Sequence, residues 1–255
     1  RIGLPQPALR RGLVQFDGAP PVHVPGADRK PFVTVTDLKT DARNWLSALN
    51  SPRPGGLSRS EEIGRQLFHD PALSADGKTS CDSCHDLSKT GANDEVTSDG
   101  PGKDGFRNVP SVLNLRYANM YGWTGQHPSL EAAICASLTS EYEMALDEDD
   151  VLDVLEPYEE GLVAAFGGRS FEVSLACEAI GMYLKRLETP GRFDAWLAGR
   201  GELTELEQQG LTQFLEHGCV TCHGGPVLGG HDVRKSLVFG VYDDDDGGIG
   251  DRTGS

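Results

Sequence analysis

The stretch CDSCH, Cys81 to His85, decides the fold, because it recurs once, as CVTCH, Cys219 to His223. Two thiols three positions apart, followed at once by a histidine, make an attachment site for c-type haem. Each thiol adds to one vinyl group, and the histidine becomes the proximal ligand of the iron. With 6 Cys and 7 His in 255 residues, chance supplies roughly 0.004 such motifs, so two are a signal. The rival readings fail on spacing and context. A zinc ribbon sets its CxxC pairs about 15–20 residues apart, whereas these pairs begin at 81 and 219. A thioredoxin-like motif needs a βαβ setting, and both flanks here read helical. Cys81, Cys84, His85, Cys219, Cys222 and His223 are therefore expected to hold two covalently bound haem c groups, with His85 and His223 on the two irons.

Such haems are attached outside the bacterial cytoplasm, so a periplasmic address is expected. The opening RIGLPQPALR lacks the apolar core of a secretion leader, which reads as a mature or trimmed chain. The other two cysteines, Cys135 and Cys177, lie in helix-like stretches. They read either as small buried hydrophobes or as a disulfide suited to an oxidising compartment. A net charge of -16 argues against a nucleic-acid partner and suits a basic protein partner. No run of residues is apolar enough to span a membrane.

Working outward, LSRSEEIGRQLF opens with a capping box, Ser58 with Glu61, and puts Ile63 and Leu67 on one face. Helices are expected over 129–138, 147–166 and 170–187. A second capping box, Thr204 with Glu207, starts the helix that delivers the second haem motif. PFVTVTDL alternates and reads as an edge strand, SPRPGG at 51–56 as a breaker, and residues 86–107 as a mobile polar loop. Asp243–Asp246 reads as a solvated acidic loop. The expected class is mainly α, with two cytochrome-c-like helical haem domains and long loops. The expected division is an N-terminal extension over 1–57, a first haem domain over 58–200, and a second over 201–255 that looks incomplete.

LFHDPALSADGKTSCDSCHDLS, FRNVPSVLNLRYANMYGW, EYEM, EAIGMYLKRLETPGRFDAWLAG and GLTQFLEHGCVTCHGG, in that order, resemble the bacterial dihaem cytochrome c peroxidase family. The resemblance implies a peroxidatic first haem and an electron-storing second one. It implies hydrogen peroxide as substrate and a small cytochrome c or cupredoxin as electron donor; a homodimer is also open. Glu143, followed by Met144, falls on the family's distal glutamate. By composition alone it would read as a solvated charge. Trp123 falls on the tryptophan between the haems, an aromatic relay expected to lie in the core. Asn108, in RNVPS, falls on a ligand of a structural calcium, which an amide oxygen suits.

This sequence also departs from the family. Ala133 stands where a distal glutamine is usual, and WDGR reads WTGQ. The family continues beyond the position of Ser255 and supplies the second haem's sixth ligand there; His231 and Met182 are poor substitutes. In many members a histidine after the first motif caps the oxidised iron. Here Asp86 to Val112 contains no His, Met or Cys, so the first haem is expected to be open without reduction. Two other functions remain: a maturation oxidase acting on a protein substrate, and a dihaem electron carrier without catalysis.

Overall fold

The computed structural model describes residues 31–49 and 55–229. Most of the expected breaker at 51–56, His231 and the acidic run Asp243–Asp246 lie outside the described residues. Among the described residues the fold is mainly α, with isolated bridges and no strand. The helices are α1 (Leu38–Arg43), α2 (Arg59–Phe68), α3 (Cys81–Cys84), α4 (Leu130–Thr139), α5 (Val151–Leu155), α6 (Glu159–Ala165), α7 (Val173–Leu184), α8 (Arg192–Leu197) and α9 (Glu205–Glu216).

Both capping boxes form. Ser58 Oγ accepts from the Glu61 amide at 3.2 Å, while Glu61 returns a carboxylate to the Ser58 amide at 2.8 Å. Thr204 and Glu207 repeat the arrangement at the head of α9. The helix expected over 147–166 is broken instead: α5 passes through a 3₁₀ turn, Glu156–Tyr158, into α6. Pro157 lacks an N–H and disfavours helical geometry in the residue before it. PFVTVTDL is not a strand. Asp41 accepts from the Thr36 and Asp37 amides at 2.8 and 3.0 Å, and Asp37 caps α1. These local carboxylate bonds give the backbone a partner that a strand would otherwise have to supply.

The buried residues form two cores. Ile63, Leu67 and Phe68 of α2 pack with Leu130, Ile134 and Leu138 of α4, with α5 and α6, and with nearly the whole length of α7. At Gly64 the two helix backbones meet, since a Cβ there would lie 1.9 Å from the Ala179 carbonyl oxygen. The second core joins Ala42 and Leu46 to Trp196, Leu197, Leu203, Leu215 and Val220. This core takes in described residues from the expected N-terminal extension and from both sides of position 200. The sequence landmarks between the motifs are latched together. Asn114 and Thr189 exchange hydrogen bonds at 2.8 and 2.9 Å, and Tyr117 donates to Glu188 at 2.9 Å.

Cys135 of α4 and Cys177 of α7 form a disulfide, closing a sequence separation of 42. By loop-closure entropy a link of that span stabilises by about 4 kcal/mol. Replacing both with Ala should shift the urea unfolding midpoint down by the equivalent of about 2–4 kcal/mol. An unchanged midpoint would show that the link contributes nothing to the first core.

Candidate functional site

The first haem motif is a single turn, α3, held between two loops. Asp76 builds the approach by accepting from the Lys78 and Thr79 amides at 2.9 Å each, and from the Ser74 hydroxyl at 2.8 Å. Ser80 precedes the turn, and its amide donates to Ser83 Oγ at 3.0 Å. His69 leans on the motif from α2, with Nδ1 3.0 Å from Asp82. The Cys81 and Cys84 thiols are free, and burial pushes the Cys81 thiol up to about 12.

His85 follows α3, and its Nδ1 lies 3.2 Å from the Gly91 carbonyl oxygen. A carbonyl can only accept, so Nδ1 carries the proton and Nε2 presents its lone pair. Burial lowers the His85 pKa and keeps the ring neutral. Gly91 is needed twice over: its φ is +70, and a Cβ would lie 2.8 Å from Leu113 Cγ. The second motif repeats the device. His223 Nδ1 donates to the Leu228 carbonyl at 2.9 Å, and Leu228 itself has a φ of +57. Two thiols at the right spacing, with an imidazole turned to offer Nε2, fit an axially bound, doubly anchored haem at both motifs.

The surroundings of the two motifs differ. The second motif lies beside the N-terminal segment, where the Gly225 amide donates to the Trp45 carbonyl at 2.8 Å. Phe32 packs against Gly218, and Phe214 stands 6.2 Å from the His223 ring. The first motif has a carboxylate near enough for its charge to act on both thiols. Glu143 is exposed as a residue, yet enough protein surrounds its carboxyl for desolvation to raise its pKa. Its charge in turn raises the pKa of the Cys81 and Cys84 thiols, after their own burial. Among the described residues the Glu143 carboxylate makes no hydrogen bond or ion pair. A raised pKa and no permanent partner suit a group that takes and returns a proton.

Asn108 and Trp123 are brought to each other. The indole Nε1–H donates to the Asn108 carbonyl at 2.7 Å, and the Asn108 side-chain amide donates to the Glu95 carbonyl at 2.6 Å. Trp123 is 51% exposed, contrary to its expected place in the core. WTGQ makes its own turn, with Gln126 accepting from the Thr124 hydroxyl at 2.8 Å. Among the described residues no three His, Cys, Asp or Glu side chains stand close enough to hold a metal ion. No helix among them is long and apolar enough to cross a membrane.

The carbonyls of Gly91 and Leu228 were not foreseen as parts of the site. A glycine six residues past the first motif's histidine was the visible signal for one; the second, on a leucine, left none. The loop at 86–107, expected to be mobile, is bonded internally and to the Glu143 segment. Asp99 pairs with Asp104, and the Lys103 amide donates to the Glu141 carbonyl at 2.7 Å.

A family model described as di-haem cytochrome c peroxidase matches residues 58–202. A cytochrome c551 peroxidase of Nitrosomonas europaea is 35% identical over 188 residues, covering 71% of this chain and 56% of that one. A cytochrome c peroxidase of Escherichia coli is 33% identical over 198 residues, covering 70% and 41%. The chain thus spans about half the length of these relatives. Among solved structures, a MauG-like protein associated with microbial copper homeostasis superposes with a TM-score of 0.65 at 22% identity, covering 82% of this chain and 68% of that one. That likeness bears on the fold.

Proposed function

Because the chain belongs to the di-haem cytochrome c peroxidase family, we propose that it is the catalytic part of an oxidoreductase that reduces hydrogen peroxide to water. The observation that carries this reading is the carboxyl of Glu143, near enough to the first haem motif for its charge to raise the pKa of both thiols and held by no hydrogen bond or ion pair among the described residues. Haem in that motif, bound through Cys81, Cys84 and His85, would supply a coordination position and electrons to the O–O bond. The chain's own part is to move a proton. Glu143 as carboxylate accepts the proton of one peroxide oxygen and delivers it to the other, which departs as water. Two electrons and two further protons complete the reduction to two waters.

The electrons would come from a small cytochrome c or cupredoxin, and a haem held by Cys219, Cys222 and His223 would receive them. The net charge of -16 supports a basic donor. Trp123 as a relay between the haems and Asn108 as a calcium ligand draw on the family positions of these residues. For Asn108, the amide nitrogen is engaged and the amide oxygen remains a hard donor. The disulfide Cys135–Cys177 supports an oxidising compartment, and with c-type haem it supports the periplasm.

Glu143→Gln keeps the shape and removes the titrating group. It should slow peroxide turnover by roughly 10²–10⁴-fold, the usual worth of general acid–base catalysis, while leaving reduction of the second haem by donor unchanged. Wild-type turnover would remove Glu143 from the mechanism.

The segment from Asp86 to Val112 offers no His, Met or Cys to close the first iron, and its lysines are cationic at neutral pH. Electron paramagnetic resonance of the fully oxidised protein should therefore show a high-spin ferric signal. Low-spin signals from both haems would mean that another ligand caps the first.

A further inference from the structure

The Glu143 carboxylate has no hydrogen bond to aim it among the described residues, so its aim depends on its backbone. That backbone is the turn after α4. The Glu143 and Ala145 amides both donate to the Ser140 carbonyl, at 2.9 and 3.0 Å, and Ala145 has a φ of +53. One side of the turn is anchored in the first core: Met144 is buried, and its carbonyl accepts from the Ala75 amide at 2.9 Å.

The other side is gripped by DGPGKDGF, Asp99 to Phe106. This loop closes on itself through the Asp99–Asp104 bridge and a 2.6 Å hydrogen bond from the Gly105 amide to the Ser98 carbonyl. Two glycines then press on the Glu143 turn. A Cβ on Gly100 would lie 2.7 Å from the Tyr142 carbonyl oxygen and 3.0 Å from that of Glu143. A Cβ on Gly102 would lie 2.5 Å from the Glu141 carbonyl oxygen and 2.9 Å from Ala145 Cβ. Neither glycine has a positive φ, so the constraint there is space. Lys103 completes the grip. Its amide donates to the Glu141 carbonyl at 2.7 Å, its ammonium pairs with the Glu141 carboxylate at 2.7 Å, and it stands 5.8 Å from the Tyr142 ring centroid. Phe106 meets the same ring edge-on at 5.9 Å.

We propose that Gly100, Gly102 and Lys103 form a clasp that sets the aim of the Glu143 carboxylate, which makes them positioning residues for the peroxide step. The inference rests on the reading of Glu143 as the proton-transferring group. The obstacles to a Cβ are mainly the backbone carbonyls of Glu141, Tyr142 and Glu143, so a methyl group must displace the turn rather than a flexible side-chain tip. A shift of about 1 Å in a reacting group can cost about 10²-fold in rate. The Lys103 ion pair is half-exposed and individually weak, so the close glycine contacts dominate.

The test measures peroxide turnover in the haem-loaded protein for Gly100→Ala, Gly102→Ala, Lys103→Met and Lys103→Arg, each also in a Glu143→Gln background. Covalent haem content and circular dichroism confirm folding. The alanine variants should lower kcat/KM for peroxide by roughly 10–100-fold and Lys103→Met by about threefold, with Lys103→Arg restoring the rate. In the Glu143→Gln background the same changes should cost almost nothing further, because the group they aim is gone. Reduction of the second haem should stay unchanged throughout. A folded Gly102→Ala protein with the wild-type rate overturns the clasp, and so does an equal loss in both backgrounds. If both alanine variants fail to fold, Lys103→Met decides, and a loss that is the same with and without Glu143 overturns the proposal. Should Glu143→Gln itself turn over normally, it is the proton-transfer reading that fails.

Discussion

One hydrogen bond, made twice, organises the molecule: a histidine Nδ1–H donated to a backbone carbonyl a few residues downstream. For His85 the acceptor is Gly91, and for His223 it is Leu228. The bond decides which ring nitrogen is left to bind iron and fixes the plane of the ring. Both acceptors sit in the left-handed region, at φ of +70 and +57, so each loop must reverse sharply after its motif. The requirement extends outward. The Val112 amide donates to the Gly91 carbonyl, and the Leu187 carbonyl accepts from the Asn114 amide, so the first histidine is tied through a short run of chain to the end of α7.

The two motifs share this device, but their neighbours differ. The first has within reach of its thiols the charge of a carboxylate with a raised pKa and no fixed partner among the described residues; the second is walled by Phe214, Phe32 and the backbone at Trp45. A polar, titrating neighbour suits proton transfer, and an aromatic one suits an electron site that holds its ligands unchanged. In the first core, the helical frame is braced by the disulfide between α4 and α7 and by the close crossing of α2 over α7 at Gly64.

The haem motifs and the capping boxes were legible because their determinants are local: thiol, thiol and histidine within five residues, or a hydroxyl and a carboxylate three apart. The break at Pro157 has an equally local determinant, the missing N–H of the proline. The pairing of Ala42 and Leu46 with Trp196 and Leu215 was not legible, because it joins segments some 150 residues apart. The alternation in PFVTVTDL misled because the Asp37 and Asp41 carboxylates satisfy the backbone without a neighbouring strand. The polar, glycine-rich composition of 86–107 read as mobility, yet two of those glycines allow close packing on the turn that carries Glu143. Glu143 had no local signal at all, and only its resemblance to a family position marked it out. Trp123, which was expected in the core, instead lies partly exposed with its indole nitrogen bonded to Asn108.

We propose that a single carboxyl group, Glu143, whose pKa is raised by desolvation from the protein around it, carries the proton at the first haem. A group whose deprotonated form is active gives a rate that rises with pH through its pKa. The most direct test is kcat/KM for peroxide measured against pH in the wild type and in Glu143→Gln. The wild type should show an acid limb with its midpoint above the ordinary glutamate range, and the limb should disappear in the variant. A flat wild-type profile, or a limb that survives in Glu143→Gln, would contradict it.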